Sequence, residues 1–239
     1  MSHTAFVVGL AVEGHVLSRA LGHHDSEIAQ RTACAGANAD RARHAARRLL
    51  DEGAGALVSF GIAGGLDPAL SSGDLVLADS VCLPGGLTVR TDPAWRDACA
   101  ALMSQSGFQI HGGTLLGSDR EVALASEKRR LFDLRAAVAV DMESHGVAEI
   151  AEAAAVPFLV VRAVADPAGR SLPSAVIGGV DPNGRARPGL VAARICLRPW
   201  QIGQVLRLRR DLQAALSALN RLARLLGSDF FRPGYFGDA

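Results

Sequence analysis

At 239 residues, 49% apolar and 21% charged, the chain is long enough for one well-cored domain. A formal net charge of +1 gives no field that would drive bulk nucleic-acid binding. No apolar run approaches the roughly 20 residues that span a bilayer. The stretch 1–12 lacks a basic leader segment and Glu13 interrupts its apolar run, which argues against a signal peptide and for a cytoplasmic protein. Cys34, Cys82, Cys99 and Cys196 are scattered with no C-x-x-C pair, so free thiols are expected and no metal site. Lys128 is the one lysine; every other basic side chain of the Lys/Arg class is arginine.

In chain order, residues 4–10 form an apolar strand candidate, with a helix over 13–21 after it. A second strand is placed at 28–35. Ala, Arg and Leu at helical spacing predict a helix over 38–52, with Asn38 as its N-cap. Residues 55–60 read as a strand running into a glycine loop, and 75–83 as one long Val/Leu strand. A helix over 93–104 carries Pro93 in its first turn. A strand at 108–116, a helix at 126–134, a strand at 136–140, a helix at 143–155 and a strand at 157–165 complete the pattern. Alternation of this kind predicts an α/β fold, a three-layer α/β/α sandwich with a mixed central sheet, as a single domain over 1–239.

The strongest chemical signal is a pair of acids. Glu143, in Val140-Asp141-Met142-Glu143-Ser144, and Asp166, 23 residues later, each follow a short apolar run that reads as a buried strand. Ligands of open α/β sheets bind beyond the carboxyl ends of the strands, so both acids are expected to face one pocket. One would grip a hydroxyl pair and the other would donate a proton. The plain structural readings are a helix-start acid for Glu143 and an N-cap for Asp166.

Beyond Asp166 the composition changes. Residues 167–189 are rich in Pro, Gly and Ser and read as an extended loop, a length that is often functional. The tail 190–239 reads as a basic amphipathic helix. Between Arg194 and Arg224 it has seven arginines and one acid, Asp211, interleaved with Leu, Ile, Val and Trp200. Such a helix either closes the domain core or lies on an anionic membrane surface, and the charge asymmetry favours a membrane-facing role.

Three blocks carry a resemblance: Ser59-Phe60-Gly61-Ile62-Ala63-Gly64-Gly65-Leu66 with Gly73-Asp74-Leu75-Val76, then Val140-Asp141-Met142-Glu143, then Val160 through Asp166. In this order and spacing they resemble the purine nucleoside phosphorylase and methylthioadenosine/S-adenosylhomocysteine nucleosidase superfamily. The resemblance implies cleavage of a purine N-glycosidic bond. Asp166 would be the general acid toward purine N7, with a pKa raised by burial. Glu143 would bind the ribose hydroxyls and steady charge at C1′, with Met142 against the sugar or base. Glu13 falls where the nucleosidase branch has the acid that activates water; a solvent-facing helix-start Glu is the alternative. Asp141 is expected outside the sugar contacts. His15, His23 and His24 are expected at the surface, and His145 on a helix face.

The co-substrate would be phosphate or water, with no other cofactor. Backbone N–H groups of Gly61, Ile62, Ala63 and Gly64 are candidates for either, and Arg19 is a candidate phosphate ligand. Val122, in Leu116-Gly117-Ser118-Asp119-Arg120-Glu121-Val122, would read the adenine edge through its backbone, while Glu121 stands where nucleosidases often place a stacking aromatic. Further blocks, Asp166-Pro167-Ala168-Gly169-Arg170-Ser171 and Asp181-Pro182-Asn183-Gly184-Arg185 among them, resemble the hopanoid-biosynthesis-associated nucleoside phosphorylases. That similarity implies an adenosine carrying a triterpene at its 5′ position, adenosylhopane, as substrate, work at the inner membrane face, and a homodimer or larger homo-oligomer. A soluble methylthioadenosine/S-adenosylhomocysteine nucleosidase and a non-catalytic nucleoside-binding or membrane-attached module are the competing readings.

Overall fold

The computed structural model describes residues 3–21 and 30–230. The chain runs β1 (His3–Val8), α1 (Ala11–Ala20), β2 (Thr32–Cys34), α2 (Ala39–Asp51), β3 (Ala54–Gly65), β4 (Leu75–Leu77), β5 (Ser80–Cys82), β6 (Thr88–Arg90), α3 (Pro93–Gln105), β7 (Ile110–His111), β8 (Thr114–Gly117), α4 (Ala125–Arg135), β9 (Ala137–Asp141), α5 (Ser144–Ala153), β10 (Phe158–Asp166), α6 (Pro188–Leu197), a 3-10 turn (Pro199–Gln201) and α7 (Ile202–Phe230). The strands form one mixed sheet in the order β6-β5-β8-β9-β3-β10-β4-β7, with β1 against β3 and β2 against β1.

Side-chain alternation along the strands splits the interior into two layers. Leu57, Phe158, Val160 and Val164 pack with Ala42, Ala46 and Leu49 of α2 and Val147, Ala148 and Ala151 of α5. Val58, Phe60, Leu159, Val161 and Ala163 pack on the other face with Leu17 of α1, Cys99 and Met103 of α3, and Leu219 and Leu222 of α7. Helices therefore cover both faces, as the alternating pattern predicts. Asn38 caps α2 by accepting a hydrogen bond from Arg41 N at 3.0 Å, and Asp92 caps α3 the same way through Trp95 N.

Several expectations are corrected. The glycine block is not a loop after a short strand: β3 continues through it to Gly65. Its first part lies between β1 and β10, while Gly64 and Gly65 pair antiparallel with β9. The expected strand 75–83 breaks at Ala78 and Asp79, because the chain leaves β10 there and joins β8. The expected strand 108–116 breaks at Gly112 and Gly113, where Gly113 N donates to the Asp79 carboxylate at 2.8 Å. The short β6, with one buried residue flanked by two exposed ones, has no distinct sequence signature. The second-strand candidate shrinks to Thr32–Cys34, and residues 28 and 29 lie outside the described residues.

The tail is not one free amphipathic helix. Ala215, Ala218, Leu219, Leu222 and Ala223 are fully buried against the sheet. Each leucine contributes roughly 1.5–3 kcal/mol of burial. The distal stripe of α7 thus closes the domain, and residues 231–239 lie outside the described residues. Among the described residues no helix is long and apolar enough to cross a membrane.

Candidate active site

Where β1 ends and β9 has not yet joined, β3 is open on one side over Gly61 to Ala63. A cavity of about 180 Å³ lies over this fork. Its walls include Glu13, Ile62, Ala63, Gly64, Val122, Asp141, Met142, Glu143 and Asp166, together with Leu10, Ala37 and Leu172. Most of the residues singled out from the sequence meet here. Gly61 does not line the cavity; it lies next to Ile62 on β3, against Glu13 and Arg162.

Glu13 sits on the first turn of α1 and is 1% exposed. Its Oε2 accepts from Gly9 N and Leu10 N, each at 2.8 Å, and Oε1 accepts from Ile62 N at 2.9 Å. The solvent-facing alternative is thus excluded. Burial pushes its carboxyl above the ordinary range, against the pull of Arg162 and three backbone N–H groups.

Glu143 begins α5 just past the end of β9. Burial raises its pKa to about 8, opposed by Arg162 and reinforced by Asp141 and Glu13. Arg162 is the centre of this group. It occupies a position on β10 whose neighbours on the same face, Val160 and Val164, are core residues, and it is fully buried. Its Nη2 lies 2.5 Å from Asp141 Oδ2, 2.7 Å from Ser59 Oγ, 3.0 Å from Ser144 Oγ and 3.5 Å from Glu143 Oε2. Three acids around one guanidinium leave an excess of negative charge, which adds to burial in raising the proton affinity of Glu143.

Asp141 lines the cavity, but its carboxylate is engaged by Arg162, Ser144 N at 3.1 Å and Ser144 Oγ at 2.5 Å. It ties the start of α5 to β10. Met142 sits half-buried between the two acids, at the cavity wall.

Asp166 ends β10 on the opposite rim, paired with the fully buried Lys128 of α4. Lys128 Nζ also donates to Asp166 O at 3.0 Å and to Pro167 O and Arg170 O at 3.2 Å. Burial holds the Asp166 carboxyl above its ordinary value while the ammonium opposes the rise. The pairing replaces the N-cap reading of this residue.

Three glycines make room for the three acids. A Cβ on Gly9 would lie 2.5 Å from Glu143 Oε1, one on Gly61 2.6 Å from Glu13 Cδ, and one on Gly64 3.3 Å from both Asp166 carboxylate oxygens. The glycine run therefore lets the acids approach the backbone closely. Its amides sit in a strand, and Ile62 N is already committed to Glu13. Arg19 lies outside the cavity: it is exposed on the last turn of α1, six residues past Glu13 and turned away from it. Arg120 does line the cavity, paired with Glu127. His145 is buried against Gly117 with Nε2 3.1 Å from Asp119. His15 is exposed, and His23 and His24 lie outside the described residues.

Sequence reasoning gave no role to Arg162, Lys128, Ser59 or Ser144. Two signals were present: a charged residue inside the apolar run of β10, and a single lysine in an arginine-rich chain.

The fold has counterparts among known proteins. Residues 26–195 match the Phosphorylase superfamily, and the chain belongs to that family. Among curated proteins it is 32% identical to the 5′-methylthioadenosine/S-adenosylhomocysteine nucleosidase of Mycobacterium bovis over 151 residues, 47% of this chain and 59% of that protein. It is 33% identical to the futalosine hydrolase of Streptomyces coelicolor over 132 residues, 47% of this chain and 54% of that protein. The match thus spans less than two thirds of these relatives. Among solved structures, the nucleosidase of Campylobacter jejuni superposes with a TM-score of 0.66 at 16% identity, covering 94% of this chain and 98% of that one. The Helicobacter pylori nucleosidase with butyl-thio-DADMe-Immucillin-A gives 0.65 at 14%, covering 93% and 97%. These structural likenesses establish the fold.

Proposed function

We propose that the protein cleaves the N-glycosidic bond of an adenine nucleoside with water as nucleophile. The observation that carries the reading is the convergence of Glu13, Glu143 and Asp166 on one small cavity from three different elements. Asp166, on one rim, protonates the departing adenine at N7 as the C1′–N9 bond breaks. The backbone of Val122 meets the adenine edge. Glu143, in its ionised form, accepts hydrogen bonds from the ribose hydroxyls and stabilises the positive charge that develops at C1′. Glu13, held by three backbone N–H groups, takes the proton of the attacking water. Phosphate fits less well than water: the acids on the cavity wall, Glu13, Glu121, Asp141, Glu143 and Asp166, outnumber the cations at and behind it, Arg120, Arg162 and Lys128. The names of the curated relatives, a nucleosidase and a hydrolase, agree with hydrolysis.

For the substrate, we favour the lipid-linked nucleoside adenosylhopane, giving adenine and ribosylhopane, because the sequence blocks after Asp166 resemble the hopanoid-associated group. The protein then works in the cytoplasm at the inner face of the membrane. A soluble methylthioadenosine/S-adenosylhomocysteine nucleosidase is the second reading, supported by the curated relatives. Incubation with adenosylhopane in detergent and with methylthioadenosine, each with and without phosphate, separates these. Adenine from the hopanoid without phosphate is expected, and none with Asp166→Asn. Release that requires phosphate would overturn water as nucleophile. Release from methylthioadenosine alone would overturn the lipid substrate, and no release from either would overturn the enzyme reading.

A further inference from the structure

Away from the cavity, the corner between α6 and α7 leaves four large apolar side chains in solvent. Leu197 is 78% exposed, Trp200 72%, Ile202 54% and Leu206 50%. Ile202 and Leu206 stand four residues apart and share one face of α7. Ile177 and Leu197 line a common recess with Arg194 and Arg198. From Pro188 to Arg210 the chain has five arginines and no acid. Arg198, Arg207, Arg209 and Arg210 are exposed, and Asp211, the first acid after them, is paired with Arg170.

We propose that this corner is the surface on which the protein docks to an anionic lipid bilayer. Leu197, Trp200, Ile202 and Leu206 enter the headgroup boundary, and the arginines meet lipid phosphates. An exposed Trp with aliphatic neighbours suits the interfacial layer, where the ring is apolar and its N–H stays wet. Charge separates a bilayer from a second copy of the chain as occupant: an acid-free cluster of arginines repels itself across a two-fold axis and is attracted to an anionic surface.

The surface is tied to the cavity. Leu172 forms part of the cavity wall. In the same loop, Ala175 N donates to Gln201 Oε1 at 3.0 Å and Arg198 donates to Ser174 Oγ at 2.5 Å. Gly178 N donates to Glu121, beside the base-pocket residue Val122, at 3.3 Å. One loop thus joins the docking corner to the cavity wall. The docking face is independent of which nucleoside is cleaved.

The test is co-sedimentation of the full chain with vesicles of phosphatidylcholine alone, and of phosphatidylcholine with one third phosphatidylglycerol, at low and high salt. Trp95 is buried, so a blue shift of tryptophan emission on binding reports Trp200. Expected are binding to the anionic vesicles only, weakening with salt, and a blue shift. Arg207→Gln and Arg209→Gln should each weaken binding about five-fold. Leu197→Ser with Trp200→Ser should weaken it at least ten-fold, with the unfolding temperature and methylthioadenosine or adenosylhopane cleavage in detergent unchanged. Absent binding, equal binding to both vesicles, or binding that survives the Leu197→Ser, Trp200→Ser pair would overturn the proposal. So would loss of an oligomer in that pair by sedimentation velocity, which would assign the face to a second copy.

Discussion

Replacing Glu143 with Gln should make the protein more resistant to unfolding at alkaline pH while removing its activity. Burial beside Asp141 and Glu13 lifts the Glu143 carboxyl from 4.5 to about 8. A carboxyl raised in this way is still protonated in the fold where the open chain has already ionised. Stability is therefore complete below about pH 4.5 and falls as pH climbs through 8. At ~1.4 kcal/mol per tenfold change in proton affinity, the ionised side chain costs the fold about 5 kcal/mol. Glutamine keeps the shape of the neutral acid and has no proton to lose. Urea unfolding at pH 5, 7 and 9 should give similar stabilities for wild type and Glu143→Gln at pH 5. At pH 9 the variant should be ahead by up to about 5 kcal/mol. Adenine release should fall by ~10²–10³ because the amide cannot stabilise the developing cation. Parallel stability profiles from pH 5 to 9 would refute the reasoning, since Glu143 would then ionise as easily in the fold as out of it.

Asp166→Asn removes the proton donor, and adenine release measured by chromatography should fall by ~10²–10⁴. Lys128→Met removes the cation that opposes the rise of the Asp166 carboxyl. The rate should fall, its alkaline limb should move to higher pH, and stability in urea should drop by roughly 3–5 kcal/mol as a buried pair is broken; an unmoved limb would remove Lys128 from the proton chemistry. Gly61→Ala would set a Cβ 2.5 Å from Arg162 Nη1 and 2.6 Å from Glu13 Cδ. It should cost roughly 1–3 kcal/mol in thermal unfolding and reduce adenine release by displacing Glu13.

The layers of this fold are legible in sequence because they rest on local periodicity and capping. Asn38 and Pro93 mark helix starts by local chemistry alone, and the apolar run ending at Asp166 is a strand as read. The breaks at Ala78 and Gly112 are not legible, since they arise where strands change neighbours, a matter of distant pairing. In the site, Glu143 and Asp166 stand out by lying just beyond apolar runs. Arg162 is hidden by the same rule, because a charge within a strand reads as an exception until Asp141, Ser59 and Ser144 are brought around it. Gly61 is visible as a residue, but the space it leaves for the Glu13 carboxylate is not, because that contact joins β3 to α1 across 48 residues of chain.

The isolation of Lys128 gives the protein a built-in reporter. Its ammonium is sealed from solvent and held by Asp166 and three carbonyl groups, and no other lysine is present. Lysine acylation by a water-soluble ester can therefore take place only when the junction of α4 with the end of β10 opens. The rate of that single modification, followed by mass spectrometry of the peptide containing Lys128, is a clock for local opening beside the acid. A bound adenine nucleoside should slow it in proportion to occupancy, so affinity can be measured in a catalytically dead variant without any turnover.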